Sequence, residues 1–152
     1  MKLYAPSTIE AIKEKHRFQL SKSLGQNFIT DKHVIERIVE GADPSEKDLV
    51  IEIGPGIGVL TAKAAQQAAK VIAIEIDSKL IPILGETLAE YDNVEVINQD
   101  ILKTDLNGII DEQRQLGNFT GDVKIIGNLP YYITTPIIMH ILENSIHAES
   151  IT

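Results

Sequence analysis

Near the end of the chain stand four consecutive residues, Asn128, Leu129, Pro130 and Tyr131, whose types suit one particular reaction. An exocyclic amine on a purine ring is a poor nucleophile, because its lone pair is delocalised into the ring. Acceptors that hold its two hydrogens out of the ring plane restore lone-pair character at the nitrogen. The Asn128 side-chain oxygen and the Leu129 carbonyl are of the right type for this. Pro130 locks the backbone angle φ of the turn, and Tyr131 offers a ring on which an extruded base can stack. The plainer reading, a proline turn beside a core tyrosine, explains any one of these residues but not the tetrad.

A second constellation begins at Ile51. The residues Glu52-Ile53-Gly54-Pro55-Gly56-Ile57-Gly58 place glycine where a chain must turn sharply and let a ligand approach the backbone. The dinucleotide fingerprint wants G-x-G-x-x-G. Here the third glycine comes one residue early and Val59 takes the expected place, which disfavours a nicotinamide dehydrogenase. An acidic residue followed by G-x-G-x-G is the S-adenosylmethionine form of this turn. Glu75 follows about twenty residues later, where a carboxylate can accept from both ribose hydroxyls. Asp100 is placed to accept from an adenine amine. Singly, each acid is equally well read as a helix cap or a surface charge; together with the turn they form a set.

These residues need elements to hold them. Short apolar runs at Leu49–Ile53, Val71–Ile76, Val94–Asn98 and Val123–Gly127 read as strands. Helical patterns fall between or beside them: one after Thr30 or Asp31 that ends at Gly41, one over Val59–Ala69, one capped by Ser78 with Pro82 in its first turn, and one over about Thr135–Asn144. Leu106–Asp122 is a polar connection with some helical character, and Glu149–Thr152 looks like the opening of a further strand. Alternating strands and helices, with strands apolar on both faces, predict an α/β fold: a parallel sheet with helices on both faces, Rossmann-like, stopping before its last strands. In such sheets the ligand lies beyond the carboxyl ends of the strands. If the fourth strand is left at the sheet edge, its unpaired backbone invites self-association.

Composition narrows the class. With 43% hydrophobic and 24% charged residues, the chain is of ordinary globular make-up. There is no cysteine, hence neither a disulfide framework nor a thiolate nucleophile. His16, His33, His140 and His147 lack metal-ligand spacing, so no metal is expected. No apolar stretch has signal-peptide or membrane-spanning length, and a cytoplasmic location is expected. The net charge of −8 is uneven. Residues 1–22 carry Lys2, Lys13, Lys15, Arg17 and Lys22 against Glu10 and Glu14, which leaves −11 for the remainder. A short basic helix over about Ser7–His16 thus precedes an acidic body and can meet phosphates.

Taken together, these stretches resemble the rRNA adenine N6-dimethyltransferases of the bacterial small-subunit type, the kasugamycin-resistance or dimethyladenosine transferases. The matching segments are Lys22–Phe28, Ile51–Leu60, Val71–Asp77, Asn98–Ile101 and Gly127–Pro136, which span nearly the whole chain in order. Ile29 stands where the family commonly has Leu, and Tyr132 where many members have Asn. The resemblance implies S-adenosylmethionine as cofactor, with Asn27, Ile29 and Gly54 at its methionine end and Gln26, Gly56, Ile76 and Ile101 also binding it. It puts Glu75 at the ribose, Asp100 at the adenine ring and Asn128 at the reacting end. Residues 1–30 would be a basic helix and cofactor-closing segment, and 31–152 the first part of the methyltransferase domain. It also implies a substrate, two adjacent adenosines near the 3′ end of small-subunit rRNA or of the 30S precursor particle, dimethylated during ribosome biogenesis. Members continue for about another hundred residues, including a helical RNA-gripping domain, so a fragment with cofactor binding but little activity is expected. Other readings stay open: an adenine methyltransferase acting on large-subunit rRNA or DNA, and a non-catalytic RNA-binding assembly factor.

Overall fold

In a computed structural model, residues 32–128, 136–141, 148 and 150–152 are described. The order of elements is α1 (Lys32–Ala42), β1 (Leu49–Ile53), α2 (Val59–Ala65), β2 (Lys70–Glu75), α3 (Ile81–Thr87), β3 (Val94–Asn98), α4 (Leu106–Gln115), β4 (Val123–Gly127) and β5 (Ser150–Ile151). Single 3-10 turns at Ser78–Leu80 and Ile101–Lys103 follow β2 and β3, and a helical stretch occupies 136–141.

The sheet has the order β3-β2-β1-β4-β5, and every neighbouring pair is parallel. Parallel strands covered on both faces must be apolar on both faces, and β1 is buried at all five positions. Alternate residues feed two cores. Val50, Val71 and Ile126 pack with Ile35 and Val39 of α1, Leu60 and Ala64 of α2, and Ile83 and Leu84 of α3. Ile51, Ile72 and Ile125 pack on the other face with Leu106 and Ile110 of α4 and with Ile137 and Ile141. Burying each such side chain stabilises the fold by about 1.5–3 kcal/mol. β3, an edge strand, is only partly buried and turns Glu95 and Asn98 to solvent, a charged and polar rim that discourages further pairing there.

Several boundaries differ from the sequence expectation. β2 runs over Lys70–Glu75 rather than Val71–Ile76, and the helical turn after it is capped by Asp77, which accepts from the Lys79 N–H at 3.0 Å, and not by Ser78. α1 runs past the exposed Gly41 to Ala42. The stop is Asp43, whose φ of 47° puts it in the left-handed position more often taken by glycine or asparagine, and its N–H closes on the Val39 carbonyl at 2.8 Å. α2 ends at Ala65 rather than Ala69. There the Asn93 amide donates to the carbonyls of Ala65 (2.9 Å) and Ala68 (3.2 Å), satisfying groups that a longer helix would have paired internally. The polar connection contains a regular helix, α4, whose cap Asp105 accepts from the Gly108 N–H at 3.1 Å.

The edge expectation also needs correction. β4 is not at the edge, because Ser150 and Ile151 return alongside it in parallel register with Lys124 and Ile125. The Thr152 N–H donates to the Ile125 carbonyl at 2.7 Å, and the Gly127 N–H donates to the Thr152 carbonyl at 3.0 Å. Among the described residues the outermost strand on this side is therefore β5. The basic N-terminal helix lies outside the described residues.

Candidate cofactor site

The register of the sheet brings the expected residues into one row. Ile53 pairs with Ile74 on one side and with Gly127 on the other, and Glu75 pairs with Asn98. Gly54 and Asn128 therefore each lie one residue past a paired position, Glu75 sits at the end of β2, and Asp100 lies two residues past β3. Read across the sheet, the carboxyl ends carry Asp100, Glu75, Gly54 and Asn128 on four adjacent strands. At about 4.8 Å per strand the row spans about 14 Å. The strand order reverses direction between β1 and β4, and such a switch point opens a crevice for ligands.

The turn after β1 is built on three positive φ angles, 70° at Gly54, 60° at Gly56 and 94° at Gly58. It is held from three sides. The Gly54 N–H donates to Ile74 on β2 (2.9 Å) and the Gly58 N–H to Pro55 (2.9 Å). The Thr87 hydroxyl of α3 donates to the Ile57 carbonyl (2.7 Å). Glu75 is 4% exposed. Its Oε1 accepts from the Gly56 N–H at 3.2 Å and its Oε2 from the Asp77 N–H at 3.0 Å. The acid placed at the ribose is thus also a clasp on the glycine turn. A carboxylate has about four acceptor positions, so each oxygen keeps acceptor capacity beyond these two bonds. Burial raises the Glu75 pKa, an effect opposed by the Asp77 and Gly56 N–H donors.

Asp100 combines the two readings open to it in the sequence. Its Oδ1 caps the 3-10 turn by accepting from the Leu102 N–H at 3.0 Å, and its Oδ2 is not used by that cap. Asn98 ties the two strand ends together, donating to the carbonyls of Glu75 (2.9 Å) and Ile76 (3.3 Å). Ile76 is 50% exposed, an apolar surface beside the row. Ile101 is not such a surface, because its side chain is buried in the core beneath. Only its backbone can face a ligand, and the exposed apolar neighbour is Leu102. Asn128 is exposed at the end of β4. Gln26, Asn27, Ile29, Leu129, Pro130 and Tyr131 lie outside the described residues. Among the described residues no three His, Asp or Glu side chains converge as a metal set, and no helix is long and apolar enough to cross a membrane.

One acid has more structure than its place in the motif suggested. Glu52, in mid-β1, is 1% exposed and accepts from the Thr61 hydroxyl of α2. Burial pushes its pKa up to about 8; the Thr61 hydrogen bond opposes the rise and the Glu75 charge adds to it. A charged residue type inside a strand otherwise apolar on both faces was the available signal, since glutamate is almost never fully buried without a partner.

A groove of about 490 Å³ is lined by Val34, Ile38, Ile138 and Ile151 and meets the row at Ile53, Gly127 and Asn128.

A sequence model described as ribosomal RNA adenine dimethylase matches residues 17–152. The chain belongs to this family. It is 56% identical over 151 residues to ribosomal RNA small subunit methyltransferase A of Alkaliphilus metalliredigens, covering 99% of this chain and 51% of that protein. This member of the adenine dimethylase family thus spans about half the length of the curated relatives it matches. Its fold is similar to the crystal structure of the 23S rRNA methyltransferase ErmE, with TM-score 0.61 and 32% identity over 82% of this chain and 45% of the other. It is also similar to an RNA methyltransferase from Salinibacter ruber solved with S-adenosyl-L-homocysteine, with TM-score 0.60 and 24% identity over 76% of this chain and 69% of the other. At that identity the likeness concerns the fold alone.

Proposed function

We propose that this chain is the cofactor-binding and catalytic part of a cytoplasmic S-adenosylmethionine-dependent enzyme that dimethylates adenosine N6 in small-subunit rRNA or the 30S precursor particle. The observation that carries the reading is the row Asp100, Glu75, Gly54, Asn128 on four adjacent strand ends in a member of the adenine dimethylase family. The residues present suit the cofactor. Asp100 accepts from the adenine amine, Glu75 from the ribose hydroxyls, Ile76 covers an apolar face, and the Gly54–Gly58 turn leaves the methionine end unobstructed. By the family resemblance, Asn27 and Ile29 would serve that end. When bound, S-adenosylmethionine supplies a methyl group on a positively charged sulfur, a good leaving group.

The remaining work is positioning. The Asn128 oxygen and the Leu129 carbonyl accept the two hydrogens of the target amine, and Tyr131 stacks on the extruded base. Each transfer moves one methyl from sulfur to nitrogen and releases one proton to solvent. The small-subunit substrate is preferred to the large-subunit one because the 56% relative is a small-subunit enzyme, whereas the 23S enzyme is 32% identical. Titration calorimetry of this chain with S-adenosylmethionine is expected to show weak, saturable binding and, with RNA, little methyl transfer. No heat at millimolar ligand would sink the cofactor assignment.

The apolar groove and the place of β5 as the outermost described strand also favour self-association. Ile151, 45% exposed, and Ile138, 37% exposed, both line the groove, and an outermost strand offers backbone groups to a second copy. Sedimentation velocity is expected to show concentration-dependent association, and a monomer at every concentration would refute it.

A further inference from the structure

Two buried carboxyl groups flank the glycine turn, one bonded to it and the other tying its strand to the helix that follows. Glu75, on β2, clasps it through the Gly56 N–H at 3.2 Å. Glu52, two residues before Gly54 on β1, reaches across the strand-to-helix junction to the Thr61 hydroxyl in the first turn of α2. Their surroundings are unequal. Glu75 accepts from two backbone N–H groups, Gly56 and Asp77, and such donors favour a carboxylate. Glu52 has one hydroxyl and no access to solvent. By strand alternation it shares the sheet face of Val50, which packs against Ile35 and Val39 of α1 and Leu60 and Ala64 of α2, all uncharged. Its register partners are Ala73 on β2 and Ile126 on β4. Among the described residues the charge acting on it is that of Glu75. Two like charges in a dry interior do not ionise together, and an asymmetry of hydrogen bonding decides which keeps the proton.

We propose that Glu52 carries a proton while the turn is empty and releases it to solvent when a positively charged ligand settles against the turn, so that cofactor capture is coupled to proton release. This rests on the cofactor reading above. Glu52 is then a positioning residue. As the neutral acid it fixes the turn through Thr61 without repelling Glu75. As the carboxylate it adds a negative charge beneath the site just when the cofactor's sulfonium brings a positive one. The balance is simple: the Glu52 carboxylic acid becomes a carboxylate, and one proton goes to the buffer. Burial, which sets the Glu52 pKa near 8, places the exchange in the neutral range.

Two measurements test it. The first uses the empty chain: the infrared difference between wild type and Glu52→Gln should contain a protonated-carboxyl band at neutral pH that disappears on raising the pH. A carboxylate band at neutral pH would overturn the proposal. The second is calorimetry with S-adenosylmethionine in buffers of different ionisation enthalpy. Wild type should release protons on binding, and its affinity should rise by up to about tenfold per pH unit from about pH 6 to about pH 8. Glu52→Gln should release none and lose the slope. No release by wild type, or equal release by both, overturns the coupling. Absence of any heat overturns the cofactor reading and the coupling with it, while the infrared arm still reports the proton. Should Glu52→Gln not fold, Thr61→Val removes the one hydroxyl donor and should move the band's disappearance to higher pH; an unmoved band counts against the proposal.

Discussion

Asn128→Ala, placed in a protein of the relatives' full length, is expected to lower methyl transfer to small-subunit RNA by about 10²–10³-fold, the size found when one aligned hydrogen-bonding group is removed from a reacting centre. The side chain is exposed at the end of β4 and packs in neither core, so stability should change little. The loss should fall on single-turnover rate more than on RNA affinity, because the amide acts on the amine as it becomes nucleophilic. Single-turnover assays with saturating cofactor separate the two. A variant that keeps its rate would remove Asn128 from the chemistry. One that loses its rate yet still supports ribosome maturation would favour the assembly-factor reading over catalysis.

The second large effect is structural and concerns Gly58. Its φ of 94° and ψ of 16° are strained for any side chain. A Cβ there would also lie 3.1 Å from Leu88 Cδ2 and from Thr87 Oγ1, and 3.2 Å from Leu88 Cγ. The left-handed conformation costs about 1–2 kcal/mol and overpacking about 1–3 kcal/mol more. Gly58→Ala is therefore expected to lose about 2–5 kcal/mol, a large part of a small domain's stability. The displaced atom matters as well, since Thr87 Oγ1 is the donor that holds the Ile57 carbonyl, and moving it loosens the turn. Denaturant midpoints with an unchanged slope would measure the loss. Gly85→Ala is the control: its Cβ would meet nothing within 4 Å, and its helical position should make the change neutral or slightly stabilising. Equal behaviour of the two variants would contradict the account of the turn.

Much of this was legible in the residues. β1, β3 and β4 have the bounds their β-branched runs predict, because an apolar run between turn residues has few other ways to be buried. The row of Asp100, Glu75, Gly54 and Asn128 was legible as strand ends, and parallel pairing then aligned them. What could not be read was side-chain direction over short turns. Ile101 and Leu102 are consecutive and equally apolar, yet the 3-10 turn capped by Asp100 sends one inward and leaves the other exposed. The same holds for Glu75, whose hold on Gly56 joins positions nineteen residues apart. The helix α4 was hidden by its polar surface and is announced mainly by its cap, Asp105. β5 was legible only as an opening, since a two-residue strand is defined by its partner and not by its own sequence.

The four positions proposed for the cofactor occupy successive rungs of a sheet, and sheets are not flat. Neighbouring strands rotate by about 20–25°, so three steps from β3 to β4 turn the row through about 60–75°. A molecule that touches all four positions must follow that curve. It needs swivelling bonds between its parts and cannot be one rigid plane. A flat fused-ring competitor would fit one end and lift away from the other. Discrimination by flexibility is thus built into the sheet itself, before any side chain makes a contact.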